Sequence, residues 1–150
     1  MLTATKSTKI ELYSENKTKE FADTFSTKIK IGDIVYLYGE IGSGKTTFIK
    51  YLINIIQKKN KLEPSEVTSP TFNILNEYRI NQIKINHYDL FRLKSSNEVK
   101  NLGLFEDSFK SITLIEWPQI IEEKPKNLIE LIFTYEDDHE KRSVQVKGLD

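Results

Sequence analysis

The stretch "DIVYLYGEIGSGKTTFIK" (33–50) constrains this chain more than any other. A short, mostly apolar segment ends at Gly39; after four intervening residues Gly44, Lys45 and Thr46 open a run with apolar residues at helical spacing. This is the phosphate-binding loop pattern, set between a strand and a helix as it must be. Backbone N–H groups have to converge on phosphate oxygens, and side chains at Gly39, Gly42 and Gly44 would block that approach. The helix starting near Lys45 adds the positive end of its dipole. Gly39, Glu40, Ile41, Gly42, Ser43, Gly44, Lys45, Thr46 and Thr47 are therefore the candidate nucleotide loop. Lys45 is placed for the β- and γ-phosphates and the Thr46 hydroxyl for Mg²⁺. The plain alternative is a glycine-rich turn that happens to precede a helix.

The flanking segments predict an α/β protein. "TKIELYS" (8–14) alternates like a strand, and Ser14 then caps a helix whose inner stripe is Phe21, Ala22 and Phe25. Ile49, Leu52, Ile53 and Ile56 give the helix after the loop one apolar face. Residues 60–72, with two prolines and many polar groups, read as a long surface loop. Extended runs at 73–80 and 83–90, split by Asn81 and Gln82, predict a hairpin. "ITLIEW" (112–117) reads as a buried strand, and the tail as a second hairpin turning through "EDDHEK". The expectation is a mixed β-sheet sandwiched by helices, like that of P-loop NTPases, in one domain spanning 1–150.

Charge narrows the partners. Basic and acidic residues number 22 each, so nothing pulls a polyanion from a distance, and strong independent nucleic-acid binding, to DNA included, is not expected. Cysteine is absent, which excludes disulfides and thiolate metal sites. No apolar run reaches the ~18 to 20 residues of a membrane span, and "MLTATKSTKIELY" lacks the apolar stretch of a secretory signal. A cytoplasmic protein with no membrane partner is expected.

Guanine-reading proteins of this class carry an Asn-Lys-x-Asp element; "NKLE" (60–63) ends in glutamate and lies too close to the loop, so ATP is the expected nucleotide. A carboxylate on a neighbouring strand should hold Mg²⁺ or position water. Glu116 ends the apolar "ITLIE", where α/β sheets place ligands, although a strand-end glutamate needs no function. Asp89 ends "IKINHYD", whose alternation reads as a half-solvated hairpin strand. Period two sets His87 and Asp89 on one face, and taken alone they read as a hydrogen-bonded surface pair. "TSPTF" (68–72) offers the Ser69 and Thr71 hydroxyls as γ-phosphate sensors, or is simply a proline turn. Trp117 reads as core.

Taken together, "GEIGSGKTTF", "TSPTF", "HYDLFR", "LGLFE" and "LIEWP" closely resemble the bacterial TsaE (YjeE) family. The resemblance runs from about Tyr36 to Pro118. It implies a small Mg²⁺-dependent P-loop ATPase needed to make threonylcarbamoyladenosine on tRNA. Such a protein acts with the TsaD–TsaB complex and reaches tRNA only through it. The resemblance further implies Thr46 and Glu116 as magnesium ligands, Asp89 in hydrolysis alongside Lys45, and Ser69 and Thr71 in a switch-like loop. His87, Arg92 and Trp117 match family positions, whereas Phe91 stands where tyrosine is usual. Nucleotide contacts near both ends map onto Glu15 and Asp137. Two other classes compete: a small-molecule kinase, and a nucleotide-binding module without turnover. With only Arg79, Arg92 and Arg142 in the chain, the dense arginine cluster of many such kinases is not expected.

Overall fold

The computed structural model describes residues 7–136 and 141–149. In chain order the elements are β1 (Ser7–Glu11), α1 (Glu15–Lys28), β2 (Ile34–Tyr38), α2 (Lys45–Lys59), β3 (Leu75–Ile80), β4 (Ile83–Asp89), α3 (Ser96–Asn101), β5 (Ile112–Glu116), β6 (Leu128–Glu136) and β7 (Lys141–Lys147). The seven strands make one sheet in the order β1-β7-β6-β2-β5-β4-β3. The middle four, β6, β2, β5 and β4, run parallel, and antiparallel strands finish both edges.

This order follows from the pattern of apolar residues. Parallel strands need both faces covered, and "IVYLY" and "ITLIE" are buried along nearly their whole length. On one face α1 and α2 pack side by side, with Phe48 of α2 at the centre. Its ring centroid lies 5.1 Å from Phe21, 5.5 Å from Phe25 and 5.6 Å from Phe133 of β6. Ile49, Leu52, Ile53 and Ile56 are all buried there, as their spacing predicts. The other face is covered more thinly: Tyr36, Tyr88, Leu90 and Ile115 pack under Val99 of the short α3 and under Leu104. The sandwich is thus uneven, two long helices against one six-residue helix and its turns. Among the described residues no helix is long and apolar enough to cross a membrane.

Local signals act as their chemistry requires. The Ser14 side chain accepts from Lys17 N at 3.2 Å and caps α1. Asn81, at φ 54°, turns the β3–β4 hairpin in the left-handed region that asparagine tolerates. One expectation is corrected. β4 is not a half-solvated strand, because it lies between β3 and β5, and Ile85, His87, Tyr88 and Asp89 are buried. Pairing with β5 starts only at Ile85, so Ile83 and Lys84 extend past the parallel partner and stay partly exposed.

Candidate nucleotide site

The C-terminal ends of β2, β5 and β4 come together at one edge of the sheet, where parallel α/β sheets bind ligands. A cleft of about 490 Å³ opens there. Ile41, Gly42, Gly44, Lys45, Thr46 and Thr47 form one wall, Ser69, Thr71, Asp89 and Phe91 a second, and Glu116, Trp117 and Arg142 complete the lining.

The loop has the backbone its glycines allow. Gly39, Gly42 and Gly44 take φ of 146°, 85° and 108°, in the left-handed half of the map. A Cβ on Gly39 would fall 2.8 Å from the Phe133 carbonyl oxygen, so the loop passes too close to β6 for any side chain. The first bond inside α2 runs from Phe48 N to Gly44 O at 3.0 Å. The amides of Lys45, Thr46 and Thr47 precede it and have no acceptor within the helix, leaving donors for an anion. The Ser43 hydroxyl is buried without a partner. Gly39, Glu40 and Ser43 do not line the cleft; they face β6, where Glu40 accepts from the Tyr135 hydroxyl at 3.2 Å.

Lys45 is only 4% exposed. Its ammonium donates to the Gly39 carbonyl and lies 3.8 Å from the centroid of the Trp117 ring. Burial pushes its pKa down, while the nearby Glu116 and Asp89 carboxylates push it back up. Trp117 holds φ 57° and ψ 55°, a conformation costly for a bulky residue, and stacks at a tilt on Phe91 with centroids 4.8 Å apart. It is therefore a cleft wall as much as core.

The two acids face each other in register, Asp89 on β4 and Glu116 on β5. They are 3% and 2% exposed. Asp89 Oδ2 accepts from Ser69 Oγ at 3.3 Å and Thr71 Oγ1 at 3.1 Å, and Oδ1 accepts from Phe91 N at 2.9 Å. A carboxylate has about four acceptor positions, so one remains on Oδ1 for a further donor such as water. Glu116 Oε2 lies 2.7 Å from His87 Nε2. The expected His87–Asp89 surface pair is thereby corrected: both are buried, and each takes a different partner. "TSPTF" is no isolated proline turn either, because both of its hydroxyls are tied to Asp89.

The remaining residues spread out. Arg92 stacks over Phe72, 5.2 Å from its ring centroid, and does not line the cleft. Glu15 opens α1 and meets the Tyr51 hydroxyl, also outside the cleft lining. Asp137 lies outside the described residues. Arg142 was not singled out from sequence as a site residue; a lone arginine far along the chain gives no local signal, and only the β6–β7 hairpin brings it beside Gly44. Among the described residues no group of three or more histidines and carboxylates is arranged to hold a metal by itself. That suits Mg²⁺, which keeps several waters and takes one or two protein ligands beside phosphate oxygens. Thr46 and Glu116 both line the cleft and fit that sparse role.

Fold and loop together define an α/β protein with a P-loop NTPase-like fold. The solved structure of Bacillus YdiB shares the fold, with a TM-score of 0.74 over 99% of this chain and 90% of that one, at 24% identity. The sequence profile of the family described as "Threonylcarbamoyl adenosine biosynthesis protein TsaE" matches residues 12–144, and the chain belongs to that family. The relative from Rickettsia bellii, named "tRNA threonylcarbamoyladenosine biosynthesis protein TsaE", is 40% identical over 87% of this chain and 88% of its own length. Its namesake from Aquifex aeolicus is 33% identical over 90% and 92%.

Proposed function

We propose that this chain is a Mg²⁺-dependent ATPase serving tRNA threonylcarbamoyladenosine biosynthesis as an accessory to the TsaD–TsaB complex. The observation that carries the reading is the meeting of Lys45, Asp89 and Glu116 in one cleft. The amides at the start of α2 hold the phosphate chain, and Lys45 exchanges the Gly39 carbonyl for phosphate oxygens. Thr46 and Glu116 would hold Mg²⁺, which would neutralise charge on the phosphates. Asp89 uses its remaining acceptor position to orient a water in line with the γ-phosphorus. The water oxygen bonds to that phosphorus as the bond to the bridging oxygen breaks, giving ADP, inorganic phosphate and a proton released to solvent. Ser69 and Thr71 link this geometry to the 68–72 loop, so the presence of the γ-phosphate can alter the surface a partner meets. Family membership supports the tRNA-modification role, and the balanced charge supports reaching tRNA through partners.

Product analysis tests the chemistry. With ATP, Mg²⁺ and the partner complex, ADP and free phosphate should appear in equal amounts. A phosphorylated small molecule replacing free phosphate would identify a kinase instead, and intact ATP would identify a binding module.

A further inference from the structure

His87 has no part in the hydrolysis just described, and it does not line the cleft. It is nevertheless fully buried on β4, with Nε2 against Glu116 Oε2 and with Nδ1 buried and unpartnered. If its only task were to fill space, an apolar side chain would do so without the desolvation cost of an imidazole and a carboxylate. The 2.7 Å contact joins Nε2 directly to Oε2, and both side chains are buried, so the ring fixes where that carboxylate oxygen sits.

We propose that His87 is the positioning residue for Glu116: it holds Oε2 and so presents the other carboxylate oxygen, in one orientation, to the divalent cation. The inference rests on the magnesium reading above and deepens it. Mg²⁺ demands near-ideal octahedral geometry, so a carboxylate free to rotate would bind it less well. Groups that orient a metal ligand in this way typically contribute about 10- to 100-fold in metal affinity.

The test is calorimetric binding of a non-hydrolysable ATP analogue with and without Mg²⁺, which needs no turnover. E116A should remove most of the gain in affinity that Mg²⁺ gives, with Thr46 and the phosphates left as ligands. H87A should cut that gain about tenfold while leaving Mg²⁺-free binding unchanged. H87Q, whose amide N–H reaches the Nε2 position, should restore it; H87N, whose amide sits nearer Nδ1, should not. The E116A/H87A double variant should be no worse than E116A. If H87A does not fold, the contrast between H87Q and H87N decides the matter alone. An H87A or H87N protein that melts earlier but keeps the full Mg²⁺ gain would overturn the inference and leave His87 a packing residue. A full gain in E116A would overturn the magnesium reading and this inference with it.

Discussion

Asp89 and Glu116 stand side by side at the ends of adjacent parallel strands, paired in register, yet their carboxylates are held by different groups. Asp89 takes two hydroxyls and a backbone amide from flanking loops, whereas Glu116 takes the imidazole of a buried strand residue. The loop-held acid is thereby tied to the 68–72 segment and the strand-held acid to the sheet. On the function proposed above, that difference gives water positioning to Asp89 and metal binding to Glu116.

Substitution should separate the roles as well. Glu116→Ala is expected to remove most of the magnesium dependence of nucleotide binding. Asp89→Asn keeps an oxygen for the Ser69 and Thr71 hydroxyls but sets its amide against Phe91 N. Binding and fold should persist with some loss of thermal stability, while hydrolysis slows by at least ~10², a typical loss when a group acting on the attacking water is removed. Calorimetry and phosphate release, run on both variants, check the pattern. The reverse pattern would exchange the two assignments.

Lys45→Ala should lower ATP affinity without lowering thermal stability. Burial lowers the pKa of the ammonium, so relief of that desolvation cost offsets the lost Gly39 contact and the lost attraction to Glu116 and Asp89, while the phosphates lose their cation outright. Binding titrations beside thermal melts give both numbers. Undiminished ATP affinity would contradict the phosphate-loop assignment.

Much of this site was legible in sequence because its parts are local. The loop's glycines, the strand before it and the apolar stripe of α2 act within one short segment, and each forms as its chemistry predicts. The depth of Asp89 was not legible. Its burial depends on β5 lying alongside β4, a pairing between segments whose register the alternation of "IKINHYD" does not encode. Arg142 was missed as a site residue for a similar reason, since strand pairing at the far edge delivers it. The short α3 also went unread: six residues with one buried apolar side chain leave no periodic signal.

Arg142→Ala is expected to weaken ATP and ADP binding alike, by roughly tenfold if one charge-assisted hydrogen bond is lost. The side chain is exposed and sits at the Gly44 wall rather than near Asp89, so stability should barely change. Titrations with each nucleotide check this. A loss confined to ATP would place the guanidinium at the γ-phosphate instead.

Phe48→Ala tests the packing that seats the loop. Phe48 is fully buried among Phe21, Phe25 and Phe133 just after the phosphate-binding turn, and its removal should cost about 3 to 5 kcal/mol in a denaturant titration. A loss below ~1 kcal/mol would show that the helix–sheet layer repacks without it.

On the function proposed above, hydrolysis belongs to a partner's cycle. Arg142 is the one arginine lining the cleft among the described residues, and Arg92 is turned onto Phe72, so beyond Lys45 the described residues offer little positive charge to the transferring γ-phosphate. An absent arginine of this kind costs a P-loop enzyme about 10³ to 10⁵ in rate. The deciding measurement is steady-state phosphate release as purified TsaD–TsaB complex is added, beside association assays in ATP, in ADP and without nucleotide. The account predicts slow release alone, stimulation that saturates with the complex, and association that depends on the nucleotide. Full turnover by the isolated chain, with association indifferent to nucleotide, would contradict it.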